Sequence, residues 1–308
     1  MIWNKKGLIY APETYNKSGM THAMCPTPLL VGDGRIRVYF SAHDSNMAGR
    51  LFYVELDVED PTRILTVSDT PPLDIGADGQ FDDNGVVPIS IVRVGDEIWL
   101  YYAGFQLGVK IRYTIFSGLA ISRDGGLTFE RHSEVPILDR SPGESLLRSA
   151  PSVVHEDDGG FRMWYIASDE HILAVDRLRP KYDIRCIASA DGIDWPRNGQ
   201  TAVPLVGDDE YGLGRPHVVK GDQGYHMWYS IRRLSMPYRL GYAFSPDGHA
   251  WERKDDQIGL TVSDENDWDS EMVYANSVIA TPAGTYMFYN GNDYGRTGFG
   301  YALLDGSL

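Results

Sequence analysis

Cysteine is scarce: 308 residues contain two, Cys25 and Cys186. They lie far apart, with no CxxC pair and no neighbouring histidine cluster, which argues against a disulfide framework or a structural zinc site and fits a reducing compartment. Basic side chains are outnumbered, 28 Lys and Arg against 43 Asp and Glu for a formal net charge of −15. A nucleic-acid backbone or an anionic membrane surface is therefore an unfavourable partner. No apolar run approaches the roughly 18 residues of a membrane span. The opening Met1-Ile2-Trp3-Asn4-Lys5-Lys6-Gly7 lacks the apolar stretch of a signal peptide, so a cytoplasmic location without membrane insertion is expected. Periodicity of 3.6 residues is almost missing, which excludes a helical architecture.

Glycine (33), proline (17) and aromatic residues (7 Trp, 19 Tyr, 10 Phe) are abundant instead, the composition of many short strands joined by tight turns. A repeat is visible. Phe40, Tyr102, Tyr165, Tyr229 and Tyr289 fall in one column, 60 to 64 residues apart, inside segments such as Trp99-Leu100-Tyr101-Tyr102 and His226-Met227-Trp228-Tyr229. Thirteen or fourteen residues upstream stand Pro26, Pro88, Pro151, Pro216 and Asn276, each opening another apolar strand. A turn signal such as Gly32-Asp33-Gly34 or Asp158-Gly159-Gly160 separates the two strands. A third strand follows the aromatic one. In three repeats it leads through Ser122-Arg123-Asp124-Gly125, Ser189-Ala190-Asp191-Gly192 or Ser245-Pro246-Asp247-Gly248 to an aromatic residue, Phe129, Trp195 or Trp251, expected in a fourth strand.

Four strands in each of five repeats predict an all-β, five-bladed β-propeller forming one domain over residues 1–308. The fifth repeat lacks a fourth strand, and Trp3-Asn4-Lys5-Lys6 resembles Trp251-Glu252-Arg253-Lys254. Residues 1 to about 10 are thus expected to pair onto the last blade. Trp164 and Trp228, within the column segments, are expected in the core.

Polar residues just before the innermost strands gather at one channel mouth in such a ring. Asp83 and Glu271 both stand five positions ahead of the Pro/Asn column. Two carboxylates facing a saccharide, one as acid and one as base or nucleophile, are what glycosidic cleavage needs, so these two are the candidate catalytic pair. Asp82, Asn84, Trp268 and Asp269 flank them, Tyr274 and Asn276 follow Glu271, and the aromatics Trp268, Tyr274, Tyr211 and Tyr294 are expected at the same mouth, where they could stack on a pyranose face. Arg148 and Arg215 could take an anionic sugar, a sugar phosphate or inorganic phosphate through bidentate contacts. Their structural alternative is an ion pair with Glu144 or Glu210. His22 and His217 suit hydrogen bonds to sugar hydroxyls, acid–base work or a share in holding a channel metal. The acidic pairs lack EF-hand spacing, and no metal or other cofactor is expected.

Taken together, Phe81-Asp82-Asp83-Asn84-Gly85, Leu147-Arg148-Ser149-Ala150-Pro151, Gly214-Arg215-Pro216, Trp268-Asp269-Ser270-Glu271-Met272 and Tyr289-Asn290-Gly291-Asn292-Asp293-Tyr294-Gly295 make the chain resemble the five-bladed propellers of glycoside hydrolase families 43, 32 and 68 and the phosphorylases of family 130. The resemblance is strongest to a glycosidase-like subgroup associated with surface-polysaccharide biosynthesis. It implies a saccharide or activated-sugar substrate. It also implies, for family 43, an aspartate by the first inner-strand proline and a glutamate before the third-blade Ala-Pro. Here those places read Met24-Cys25-Pro26 and Arg148-Ser149-Ala150-Pro151, so the hydrolytic triad is not present as such. Three readings follow: an enzyme cleaving or transferring a glycosidic bond with Asp83 and Glu271, a glycoside phosphorylase, or a non-catalytic carbohydrate-binding propeller.

Overall fold

Glycine- and aspartate-bearing turns between short Val, Ile, Tyr and Trp runs favour antiparallel hairpins. In the computed structural model, which describes residues 1–15, 19–174 and 177–308, strand takes up 56% of the chain and helix 4%, so hairpins account for nearly all the regular structure. Strand β1 (Trp3–Tyr10) comes first. Four groups follow: β2 (Thr21–Val31), β3 (Arg35–His43), β4 (Gly49–Asp57) and β5 (Ile64–Val67); β6 (Gly85–Val94), β7 (Glu97–Leu107), β8 (Tyr113–Ser122) and β9 (Glu130–Arg131); β10 (Leu147–His155), β11 (Phe161–Ala174), β12 (Arg177–Ser189) and β13 (Gln200–Val203); β14 (Glu210–Gly221), β15 (Gly224–Arg233), β16 (Arg239–Ser245) and β17 (Glu252–Arg253). The last group is β18 (Tyr274–Thr281), β19 (Gly284–Asn290) and β20 (Phe299–Leu304), and β1 completes it by pairing antiparallel with β20, Trp3 opposite Leu304 and Tyr10 opposite Phe299.

Single parallel bridges join neighbouring groups: Gly49 to Gly85, Phe116 to Arg148, and Tyr182 to Gly212. The ladders do not form one closed sheet. Side chains nevertheless link the innermost strands in succession. Thr27 Oγ1 donates to the Pro88 carbonyl at 3.2 Å, Ser90 Oγ accepts from Val153 N at 3.1 Å, and Ser152 Oγ accepts from Val218 N at 2.9 Å. His217 Nε2 then donates to the Val278 carbonyl and Ser277 Oγ to the Pro26 carbonyl, both at 2.8 Å, which leads from β18 back to β2.

Proline recurs on these strands for a backbone reason. The ladder skips register at the column, for instance between Met24 and Thr27 and between Gly214 and His217. The preceding residue has positive φ in four groups: Cys25 at 59°, Ala150 at 53°, Arg215 at 46° and Ala275 at 52°. A bulge of this kind leaves one residue outside the ladder, where a missing N–H costs nothing.

The aromatic column forms the centre of each group. Phe40, Tyr102, Tyr165, Tyr229 and Tyr289 are all buried, as are Trp164 and Trp228. Each column tyrosine donates its hydroxyl to a carboxylate: Tyr102 to Asp82 (2.9 Å), Tyr165 to Glu144 (2.8 Å), Tyr229 to Asp255 (2.6 Å) and Tyr289 to Asp269 (3.0 Å). A cation neutralises each acid: Arg131 on Asp82, Arg148 and Arg185 on Glu144, Arg253 on Asp255 and Lys5 on Asp269. Buried charge is tolerable only when paired in this way.

The fourth strands differ from the sequence expectation. Phe129 and Trp251 stand just ahead of β9 and β17, and Trp195 lies well before β13. The indoles serve the turns instead: Trp195 Nε1 donates to the Gly192 carbonyl and Trp251 Nε1 to the Gly248 carbonyl, both at 3.1 Å. The third group also outgrows the repeat, because β11 and β12 stay paired as far as Ala174 opposite Arg177.

Candidate functional site

In every group the innermost strand starts at the end of the molecule to which the second strand returns. The approach to the innermost strand and the turn after the second strand therefore share one face, the mouth. Several residues expected to face a ligand there belong to the framework instead. Asp82 and Asp269 are fully buried, each 20 residues before its tyrosine and bonded to it. They are the structurally equivalent acids, and both are used by Tyr–carboxylate–cation sets rather than by the mouth. Arg148 is a second correction: its Nε lies 2.6 Å from Glu144, and its Nη atoms donate to the Asp139 and Pro196 carbonyls. Trp268 is a third, packing on Tyr289 with ring centroids 5.1 Å apart. A Cβ on Gly300 would lie 2.6 Å from that indole, so glycine admits the ring here.

Arg215 does not pair with Glu210, which Arg233 and Arg253 hold. Arg215 is 5% exposed, and its guanidinium reaches from β14 across to β18 and β2. There Nη1 donates to Ser277 Oγ and the Asn276 carbonyl, and Nη2 to Thr27 Oγ1 and the Pro26 carbonyl. It is a clamp on the innermost strands, and burial lowers its pKa. His217 works beside it. Burial, then the neighbouring Arg215, pushes its imidazole down to about 4, so it is neutral at pH 7 and donates to Val278. Asn276 is fully buried between these strands, and neither side-chain polar atom has a partner among the described residues.

The mouth above this clamp is built of tyrosine and arginine. Tyr274 comes from the start of β18, Tyr238 from the β15–β16 turn and Tyr294 from the β19–β20 turn. Their rings are mutually close, with Tyr238 at 5.5 Å from Tyr274 and 6.0 Å from Tyr294, and Tyr274 at 5.7 Å from Tyr294. Tyr182 joins from the long β11–β12 hairpin and acts electrostatically on Tyr238. Arg232, near the end of β15, lies 5.0 Å from the Tyr211 ring and 5.6 Å from the Tyr238 ring. Arg179, on the same hairpin as Tyr182, acts electrostatically on Tyr211. Burial raises the hydroxyls of Tyr238 and Tyr274 well above their ordinary value, which keeps them as neutral donors. The Tyr274 hydroxyl and Arg179 Nε are buried without partners among the described residues. Of this set Tyr211, Tyr274 and Tyr294 are aromatics expected at the mouth from sequence. Tyr182, Tyr238, Arg179 and Arg232 were not, and the one available signal was Tyr182 and Arg179 in an unusually long run of strand-forming residues.

Asp83 and Glu271 sit on rim loops of different groups, and no hydrogen bond or ion pair joins them among the described residues. Asp83 is half-buried and accepts from Gly79 N at 2.9 Å. Glu271 is exposed, its backbone held by Asn292 Oδ1 and Arg239. Asn84 holds its loop through backbone bonds to Gly49 and Phe105. His22 has positive φ (63°) and packs against His43, with centroids 4.5 Å apart and the rings tilted by 36°. Burial lowers its pKa, Asp293 opposes that, and Arg296 adds to it. Asp293, on the rim near His22 and Tyr274, is an acid that the column spacing did not single out. No three His, Cys, Asp or Glu side chains form a cation-holding group among the described residues.

No family model matches the chain. Among solved structures, a glycoside hydrolase superposes with a TM-score of 0.76 at 20% identity, covering 99% of this chain and 93% of that one. A thermostable family-43 glycoside hydrolase gives 0.68 at 18% identity over 94% and 90% of the two chains. An endo-arabinase from Bacteroides thetaiotaomicron gives 0.66 at 11% identity over 93% and 96%. The chain thus has a fold like that of family-43-type propellers. At the level of sequence, two uncharacterized proteins of Mycobacterium tuberculosis, Rv1502 and MT1551, are each 34% identical over 305 residues, 99% of this chain and 100% of theirs. Identity of that extent over whole chains means that this protein belongs to the family of Mycobacterium tuberculosis Rv1502.

Proposed function

We propose that this protein acts on a saccharide at the tyrosine-lined mouth, cleaving or transferring a glycosidic bond, and that its five strand groups form a single five-bladed propeller. The succession of polar contacts from β2 through β6, β10, β14 and β18 back to β2 supports the ring. The observation that carries the functional reading is the cluster of Tyr238, Tyr274 and Tyr294 with Tyr182 and Arg232 at the end of a glycoside-hydrolase-like fold. Aromatic faces stack on the apolar side of a pyranose while hydroxyl and guanidinium donors meet its oxygens.

Asp83 and Glu271 remain the proposed acid–base pair, the rim carboxylates left over once Asp82 and Asp269 are assigned to the framework. The burial of those two acids favours a second reading, a propeller that binds glycans without cleaving them. The test is a screen of aryl glycosides and oligosaccharides, with and without inorganic phosphate, starting with fragments of bacterial surface polysaccharides because of the subgroup resemblance. Release of a reducing sugar supports hydrolysis, and phosphate-dependent release of a sugar 1-phosphate supports phosphorolysis. Saturable glycan binding with no turnover of any donor would establish the binding reading in place of the enzyme.

A further inference from the structure

Among the described residues four arginines are buried: Arg37, Arg148, Arg215 and Arg232. Three are held in place by acceptors of the protein. Arg37 grips Glu55 at 2.6 Å, Arg148 grips Glu144, and Arg215 donates to carbonyls and hydroxyls of β2 and β18. Arg232, 7% exposed, is different. It has two tyrosine rings against its guanidinium, and among the described residues no carboxylate lies within ion-pair distance and no acceptor takes its N–H groups. A buried guanidinium with neither a carboxylate nor an acceptor is costly; Arg215, which also lacks a carboxylate, is offset by carbonyl and hydroxyl acceptors. Arg179, which also acts electrostatically on Tyr211, has a buried Nε without a partner among the described residues.

Both arginines act on Tyr211, and the neighbouring tyrosine hydroxyls add further donors. We propose that Arg232 and Arg179, with Tyr182, Tyr211 and Tyr238, form a subsite for an oxyanion carried on the saccharide, a carboxylate or a phosphoryl group. The proposal rests on reading the mouth as a saccharide site and specifies the ligand as an acidic sugar. The planar fork of a guanidinium matches two oxygens of either group, and the tyrosine faces pack against the ring that bears it.

The test is calorimetric titration of the full chain with glucuronate, galacturonate, N-acetylneuraminate and hexose 1-phosphates, beside their neutral parents and inorganic phosphate. At least one acidic sugar should bind tenfold or more tightly than its neutral parent, and the preference should shrink between 50 and 300 mM salt. Whether the carboxylates or the sugar phosphates respond identifies the oxyanion. Arg232→Met should lose tenfold or more for that ligand. Arg232→Lys, which keeps the charge and loses the fork, should also lose affinity.

Arg232→Met removes an unpaired buried charge, so its melting temperature should equal or exceed the parent's. If that variant fails to fold, Arg179→Met carries the same test on the hairpin, with a smaller loss expected. No acidic sugar binding more tightly than its parent, or full affinity retained in the folded variants, would overturn the subsite. Inorganic phosphate binding as tightly as any acidic sugar would overturn its assignment to a sugar-borne group. Because binding is read directly, turnover of neutral glycosides without anion preference sinks the subsite alone. Arg232-dependent binding without turnover sinks the enzyme reading alone.

Discussion

Asp124 and Asp247 each hold a turn through one carboxylate. Asp124 accepts from the backbone N–H groups of Leu127 and Thr128, and Asp247 from those of His249 and Ala250. Slight burial opposes ionisation of Asp124, but bonds from Thr128, Ser122 and the backbone outweigh it and bring the carboxyl down to about 2. Asp247 is lowered to about 2 chiefly by the Ala250 and His249 N–H groups. Both folded values lie below the roughly 3.9 of an unfolded aspartate. Each carboxylate therefore stabilises the fold above about pH 4 and loses that contribution as pH falls toward 2. Asp124→Asn and Asp247→Asn should each lower the urea midpoint at pH 7, with the gap to the parent narrowing from pH 5 to pH 3; a gap independent of pH would contradict this. For the proposed catalytic pair, Asp83→Asn and Glu271→Gln keep shape while removing proton transfer, and loss of a general acid or base costs about 10²- to 10⁴-fold in rate. Near-full turnover in either folded variant returns that residue to the status of a rim acid and moves attention to His22 and Asp293.

Among the elements, the strand groups were legible because their causes are local. Gly-Asp turns, bulge prolines and the aromatic column each leave a mark within a few residues. The mouth was legible only at Tyr211, Tyr274 and Tyr294, since Tyr182, Tyr238 and Arg232 come from two groups and meet these only in space. Counting from the prolines matched Asp83 with Glu271, whereas the hydrogen bonds of Tyr102 and Tyr289 match Asp82 with Asp269. The bulge at Asn276 and a one-residue difference in the approach loops separate the two counts. The Tyr182–Gly212 bridge gives the element scale its own prediction. A Cβ on Gly212 would lie 2.5 Å from the Tyr182 ring, too close for a buried side chain to accept unmoved. Gly212→Ala should therefore displace Tyr182 from Tyr238 and weaken saccharide binding by tenfold or more, while far-UV circular dichroism stays that of a β protein. Unchanged binding in this variant would remove the long hairpin from the site.

At the scale of the whole molecule, the first strand is covalently remote from the group it completes. Trp3 is 5% exposed and meets Trp228 edge-on, with centroids 6.2 Å apart. Lys5 Nζ stands 2.6 Å from Asp269, whose side chain is fully buried. Deleting residues 1–10 would strip the cover from Trp228, leave Asp269 without its cation and expose the edge of β20 to pairing with other chains. The truncated protein should melt well below the parent and aggregate on heating. Lys5→Met separates the two contributions, since it keeps the strand and removes only the charge. Breaking a buried ion pair costs about 3–5 kcal/mol. Lys5 is partly exposed and Tyr289 still donates to Asp269, so the cost should be nearer 2 kcal/mol, read as a lower urea midpoint without aggregation. A truncated chain that melts with the parent would show that the fifth group is stable with three strands and that β1 contributes no closure.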